Sequence, residues 1–409
     1  MSRFRSLTRP LAVGCLVLFL AACGTSGRGP AGTDSAGGSA VEPVKVGVVL
    51  SLSGPAAPQG DKERIGVEMA AAEINASGGI MGRPVELIIR DDAGDPTKAR
   101  TAAEELVEKE KVAFIIGPTL SSPAMAIHPY LTEQKIVNLG SPAAAAATDP
   151  NNFPYAFATS PNDLFIGKTI VDYAVGTLHL HKLAVMSEST AFGKGGLDAL
   201  TQIFAEYGIE PVAVEEYTVG SIDYTTQLRR LQAAGAEGII VTAGNSTDVV
   251  RIVKNLQSMG WDVPLFGNAN LADFAVIEGV GRDGLKKVYS QNHRPLTYSA
   301  DVPLSDKVLE FREKVRERYD GQKPLNISIH LVAAFYDGLF VLKQAAEKAG
   351  SFDADAMKAA LESMEEYQGV YATWTFSPTK HSALSDDDGT MVIAATCEDA
   401  VCEKAPNAP

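Results

Sequence analysis

The sequence predicts an α/β protein of two lobes, each a parallel sheet flanked by helices. Three observations carry this expectation. From Val44 onward short apolar runs alternate with helical periods, the pattern of parallel strands joined by crossover helices. The alternation breaks around residues 151–163 and then begins again. The chain has 409 residues, 45% of them hydrophobic, enough for two cores at roughly 100–200 residues per domain.

The first run, Val44 to Leu50, reads as a buried strand that ends in the turn Ser53-Gly54-Pro55. Ile65, Met69, Ala72 and Ile74 then recur at near-helical spacing until Gly78-Gly79 stops the helix. There follow strand 85–90, helix 97–110, strand 112–116, a helix from Ser122 and strand 136–139. After the break come helix 164–178, strand 182–186, helix 194–207, strand 212–217, helix 224–234, strand 238–242, helix 247–259 and strand 265–266. The remainder reads as strand 288–292, helix 307–319, a long apolar helix 328–348, helix 354–363, and a strand-like tail through 374–376 and 391–396. Open parallel sheets bind ligands at the carboxyl ends of their strands, so two facing lobes predict a cleft.

The first 43 residues read as processing and tether, not fold. Arg3, Arg5 and Arg9 precede the apolar stretch Leu11 to Leu20, which is half the roughly 20 residues of an ordinary membrane-spanning helix. It ends in Leu20-Ala21-Ala22-Cys23-Gly24, which resembles a bacterial lipobox. That resemblance implies a signal peptide over 1–22, lipidation of Cys23, and membrane anchoring on the extracytoplasmic face. Residues 23–43 are rich in Gly, Ser, Ala and Thr and read as a flexible linker. Cys397 and Cys402, the remaining pair, are most simply a disulfide in an oxidising compartment.

Charge and motifs narrow the function classes. The formal charge is -14, and no basic stripe with interleaved aromatics is present, which argues against nucleic acid. Gly193-Lys194-Gly195-Gly196 lacks the spacing of a phosphate loop. There is no Gly-x-Ser-x-Gly elbow, and no metal-ligand spacing beyond His179-x-His181, which reads as a helix-end surface feature. Asp91, Asp92 and Asp95 read as a turn after a strand, and Asp386-Asp387-Asp388-Gly389 as a solvated turn. The expectation is therefore a binding protein with no catalytic residues, cofactor or metal.

An ordered series of segments gives that expectation a family. Ser51 to Ala57, Gly60 and Ala71 to Gly82 closely resemble the opening of type I periplasmic binding proteins, in the branch serving leucine/isoleucine/valine importers. Arg90-Asp91-Asp92, Gly117 to Ser122, Ser141-Pro142-Ala143, Tyr155 to Asp163, Phe192 to Gly195 and Trp374 to Pro378 continue the match in order. The resemblance covers nearly all of residues 44–395. It implies a Venus-flytrap architecture with three crossover strands, near 157–162, 289–294 and 386–390. The lobes would then comprise residues 44–158 plus 290–388, and 159–289 plus 389–405. It also implies a monomer with a small polar solute and an ABC importer permease as partners. A sensor that reads the same ligand is the alternative.

The resemblance further assigns the ligand's charged end to the loops matching Thr119–Ser122 and Ser141–Ala145, which lead into helix starts. Ser121 falls on the family's hydroxyl contact. Departures stand beside it: the second-loop Thr position falls on Ala145, the first contact aromatic on Gln59, and a later aromatic on Asn245, while Phe192 keeps an aromatic wall. The carboxylate position for a ligand ammonium falls near Ala269, with Asn268, Asn270 or Asp273 able to fill it. The expected binding set is Gln59, Thr119, Ser121, Ser122, Ala143, Ala144, Ala145, Phe192, Asn245 and Asn270, a neutral, polar lining. Amino acids, amides or urea-like compounds, small carboxylates and polyols remain open as ligands.

Overall fold

The computed structural model describes residues 41–384 and 388–409. The expected signal peptide over 1–22, Cys23, residues 24–40 of the expected linker, and Asp386 and Asp387 lie outside the described residues. The first half runs β1 (Val44–Leu50), α1 (Ala57–Ala76), β2 (Val85–Asp91), α2 (Pro96–Glu105), β3 (Phe114–Ile116), α3 (Ser121–Gln134), β4 (Asn138–Gly140) and β5 (Ala156–Ala158). Its five strands form one parallel sheet in the order β2-β1-β3-β4-β5.

The second series is α4 (Asp163–Val171), β6 (Leu183–Glu188), α5 (Ala191–Glu206), β7 (Val214–Tyr217), α6 (Thr225–Ala233), β8 (Gly238–Thr242), α7 (Ser246–Met259), β9 (Leu265–Gly267), α8 (Phe274–Val280) and β10 (Val288–His293). Then come β11 (Thr297–Tyr298), α9 (Asp306–Arg318), α10 (Ile329–Ala349), α11 (Ala354–Glu362), β12 (Tyr367–Gln368), β13 (Thr373–Trp374), β14 (Gly389–Ile393) and β15 (Cys402–Glu403). The second sheet has the order β14-β10-β9-β8-β6-β7, parallel except where β14 pairs antiparallel with β10.

Why the strands read as unbroken apolar runs is plain from the cores. Val48 faces the core beneath α1 and α10, while its neighbour Val49 faces the one beneath α2 and α3. Likewise Ile239 and Val241 enter one core of the second sheet and Ile240 the other. Successive side chains point to opposite faces, and both faces are covered by helices. Each Val or Ile so buried is worth about 1.5–3 kcal/mol.

Three local features differ from the sequence expectation. β5 overlaps the crossover strand expected near 157–162 but is shorter and earlier, only Ala-Phe-Ala at 156–158, and forms because Asn138, Leu139 and Gly140 offer it a sheet edge. α8 was not expected; Asp273 caps it by accepting from Ala275 N at 2.9 Å. β10 stays in the second sheet through His293, paired with Gly389, four residues past the boundary expected after residue 289. Cys397 and Cys402 are joined by a disulfide. Asp91 and Asp92 accept backbone N–H groups of their own turn and of Leu52 and Ser53, and Asp95 caps α2.

Candidate functional site

The carboxyl ends of both sheets converge on one cavity of about 100 Å³. In that measure a water needs roughly 10–15 Å³, so the space suits a small solute rather than a peptide. The loop after β3 supplies Thr119, Leu120 and Ser121, that after β4 supplies Ser141 and Ala143, and that after β5 supplies Thr159 to Pro161. From the second sheet come Phe192 beyond β6, Gly244 beyond β8, Asn268 to Asn270 beyond β9, and Gln291 and His293 on β10. Gln59 and Glu63 of α1, His330 and Ala334 of α10, and Tyr371 complete the wall.

Two glycines let the backbone reach this arrangement. A Cβ on Gly60 would lie 2.1 Å from Ser51 O, so only glycine lets α1 start against the end of β1 and deliver Gln59 and Glu63. Gly117 turns with φ +96°, and a Cβ there would meet Val49 O at 1.8 Å. The turn directs Thr119 to the end of β1, where its hydroxyl accepts from Ser51 N at 3.1 Å and donates to Glu63 Oε2 at 2.5 Å.

Contacts across the cleft hold the two walls together. Gln59 Nε2 donates to Gly244 O at 3.2 Å and lies 3.5 Å from Asn270 Oδ1, while Asn270 Nδ2 donates to Ala243 O at 2.9 Å. Ser122 Oγ accepts from Ala191 N at 3.2 Å. Beneath the cavity the Lys62 ammonium is paired with Asp273, both side chains being buried. Burial alone would raise the Asp273 pKa; the ammonium and the Ala275 amide outweigh it and hold the carboxyl below its usual range.

The remaining ionisable groups of the wall are shaped by burial. Glu63 is pushed up to about 8 by desolvation, against the Thr119 hydrogen bond. Burial drives His293 down to about 3 and His330 to about 4, so both imidazoles are neutral. His293 Nε2 and Tyr371 OH share a hydrogen bond of 2.8 Å. Five buried polar atoms of the wall have no partner: Gln59 Oε1, Glu63 Oε1, Thr159 Oγ1, Asn268 Oδ1 and His293 Nδ1. Such atoms are costly to leave dry, so they favour an occupant able to pair with them.

Six of the ten expected binding residues line this cavity: Gln59, Thr119, Ser121, Ala143, Phe192 and Asn270. Four do not. Asn245 caps α7, accepting from Asp248 N and donating to Asp248 Oδ2, both at 2.9 Å, so its amide is spent on the helix start. With Ser122 it faces a neighbouring hollow beside Glu188. Ala144 packs against Gly195, and Ala145 is exposed. Asp273, considered for the ammonium role, is taken by Lys62. The wall also holds an ionisable group the expected set lacked, Glu63, whose carboxyl burial keeps protonated up to about pH 8. Its signal was present in the sequence: Gln59, Glu63, Val67, Ala70 and Ile74 follow the 3- and 4-residue steps of one helix face, whose lower members are core.

A two-lobed α/β protein with a solute-sized cavity between its sheets, lined by apolar and polar side chains, defines a solute-binding protein. The chain belongs to the periplasmic binding protein family, which it matches over residues 43–394. It is 26% identical over 339 residues to Leu/Ile/Val-binding protein homolog 3 of Brucella melitensis, covering 82% of this chain and 88% of that one. In structure it resembles the branched-chain amino acid transporter substrate binding protein LivJ of Streptococcus pneumoniae, solved with isoleucine (TM-score 0.75, 23% identity, 90% of this chain and 100% of that one). It also resembles a solute binding protein of an ABC transporter from Rhodopseudomonas palustris, solved with 3,4-dihydroxybenzoic acid (TM-score 0.72, 22% identity, 85% and 91%). These relatives are binding proteins, and this chain is a binding protein rather than an enzyme.

Proposed function

We propose that the protein captures a small polar solute between its lobes and delivers it to an ABC importer, held at the outer face of the membrane by lipidated Cys23. The observation that carries the reading is the cavity shared by both sheets, with its five unpartnered polar atoms. Solute that pairs with them favours the closed arrangement over one in which the lobes have parted. The importer partnership is supported by the two structural relatives described as transporter substrate- or solute-binding proteins, and the anchor by the lipobox-like Leu20 to Gly24. The two complexes above hold an amino acid and an aromatic acid, so the fold accepts different chemistries and this chain's own lining selects among them.

The test is a thermal-shift screen of the purified protein against amino acids, amides, urea, carboxylates and sugars. A solute at about 100 times its Kd adds roughly 2.7 kcal/mol of stability, which raises the melting temperature visibly. Failure of every class at millimolar concentration would remove the reading.

A further inference from the structure

We propose that Glu63 is a ligand-binding carboxylate and that the solute carries a cationic nitrogen, an ammonium or amidinium, whose N–H groups it turns toward Glu63 and the amide oxygens of Gln59 and Asn268. The inference rests on the solute-binding reading and names its ligand class. Its ground is an inventory of the cavity wall. Glu63 is fully buried, with Oε2 taken by the Thr119 hydroxyl and Oε1 unpartnered. Gln59 Oε1 and Asn268 Oδ1 are also unpartnered, and both are acceptors. The Gln59 orientation is fixed by its Nε2, which donates to Gly244 O. No lysine or arginine lines the cavity, and the nearest cation, Lys62, is engaged by Asp273. Two waiting amide acceptors beside a buried carboxyl call for a donor-rich cation, and a solute with only acceptors would leave the amide oxygens dry.

Binding a cation at Glu63 must expel a proton. Burial keeps the Glu63 carboxyl protonated up to about pH 8, whereas a cation is held by the carboxylate. Below that pH each solute bound therefore releases one proton, and affinity falls by about tenfold per pH unit. The groups around Glu63 are Asp92 from the loop after β2, Lys62 of the same helix, Thr119, and across the cavity His293, His330 and Tyr371. His293 and His330 are neutral throughout this range, with pKa values about 3 and about 4, and burial raises the Tyr371 phenol well above its ordinary value. Burial also raises Asp92, which accepts from the Ser51 hydroxyl and Gly94 N. Asp163 rises to about 8 as well, but it sits outside this wall, behind Gly195, and serves as the control.

The experiment uses the full chain in detergent. Thermal shifts at pH 8 rank amines and α-amino acids, neutral amides and urea, carboxylates, and sugars; the best binder is then titrated calorimetrically at pH 6, 7 and 8 in buffers of different ionisation heat. Expected are an amine- or amidine-bearing binder, proton release approaching one per solute at pH 6, and affinity rising toward pH 8. Glu63→Gln should bind at least tenfold more weakly at pH 8 with no pH slope, while Asp163→Asn keeps both. A best binder without a cationic nitrogen, or wild-type affinity and slope in Glu63→Gln, overturns the inference and leaves the solute-binding reading standing. Binding of nothing in any class removes both.

Discussion

Replacing Lys62 by Met tests how the cleft is held shut. The Lys62 ammonium and the Asp273 carboxylate meet between α1 and the start of α8, with side chains 10% and 0% exposed. Removing one partner of a buried pair typically costs about 3–5 kcal/mol, because the other charge stays buried alone. Asp273 keeps only its 2.9 Å bond from Ala275 N, so the low end, about 3 kcal/mol, is the fitting figure. Parting of the lobes would let water reach Asp273, so the cost falls on closure rather than on folding. At about 1.4 kcal/mol per tenfold, Lys62→Met should bind solute roughly 100-fold more weakly in a calorimetric titration. Its unfolding free energy in urea, without solute, should fall by less than about 1 kcal/mol. The double variant Lys62→Met, Asp273→Asn removes the orphaned charge, keeps an acceptor for the Ala275 amide, and should recover most of the affinity. Single-variant affinity within threefold of wild type, or a loss seen in folding rather than binding, would refute the reasoning.

Further outcomes follow from single contacts. Ser121 Oγ accepts from Ala144 N at 3.2 Å, which leaves its own hydrogen for the solute; Ser121→Ala should weaken binding at least fivefold, within the roughly 1–3 kcal/mol cost of a lost buried partner, as titration will measure. Asp337 of α10 accepts from Val370 N, Tyr371 N and Trp374 Nε1 at 3.0, 2.7 and 3.2 Å. Asp337→Ala orphans three buried donors, and urea unfolding should register a loss of about 3–5 kcal/mol, along with weaker binding as Tyr371 loses its support. Cys23→Ala should move the protein from the membrane fraction to the soluble fraction while solute affinity stays unchanged; retention at the membrane would count against the anchor.

What the sequence by itself determined is the α/β class, the two-sheet plan and the loops that line the cavity. Those are local signals: β-branched runs buried on both faces, helical periods between them, and glycines at the strand ends. They led to Gln59, Thr119, Ser121, Ala143, Phe192 and Asn270, all present in the wall. α8 escaped because seven residues are too few for a period to show, and the crossover strand near 157–162 was misplaced by a few residues because its bounds depend on the edge β4 offers. Asn245, expected in the same wall, instead caps α7 beside the adjoining hollow; a capping amide and a ligand-binding amide look alike in sequence, and only Asp248, three residues on, shows the cap. The tertiary structure alone decided that Lys62 belongs to Asp273, 211 residues away, and that Glu63 stands fully buried with one oxygen unmet. Desolvation and pairing depend on what the fold brings near a group, and a helix face shows which side is buried but not what it is buried against.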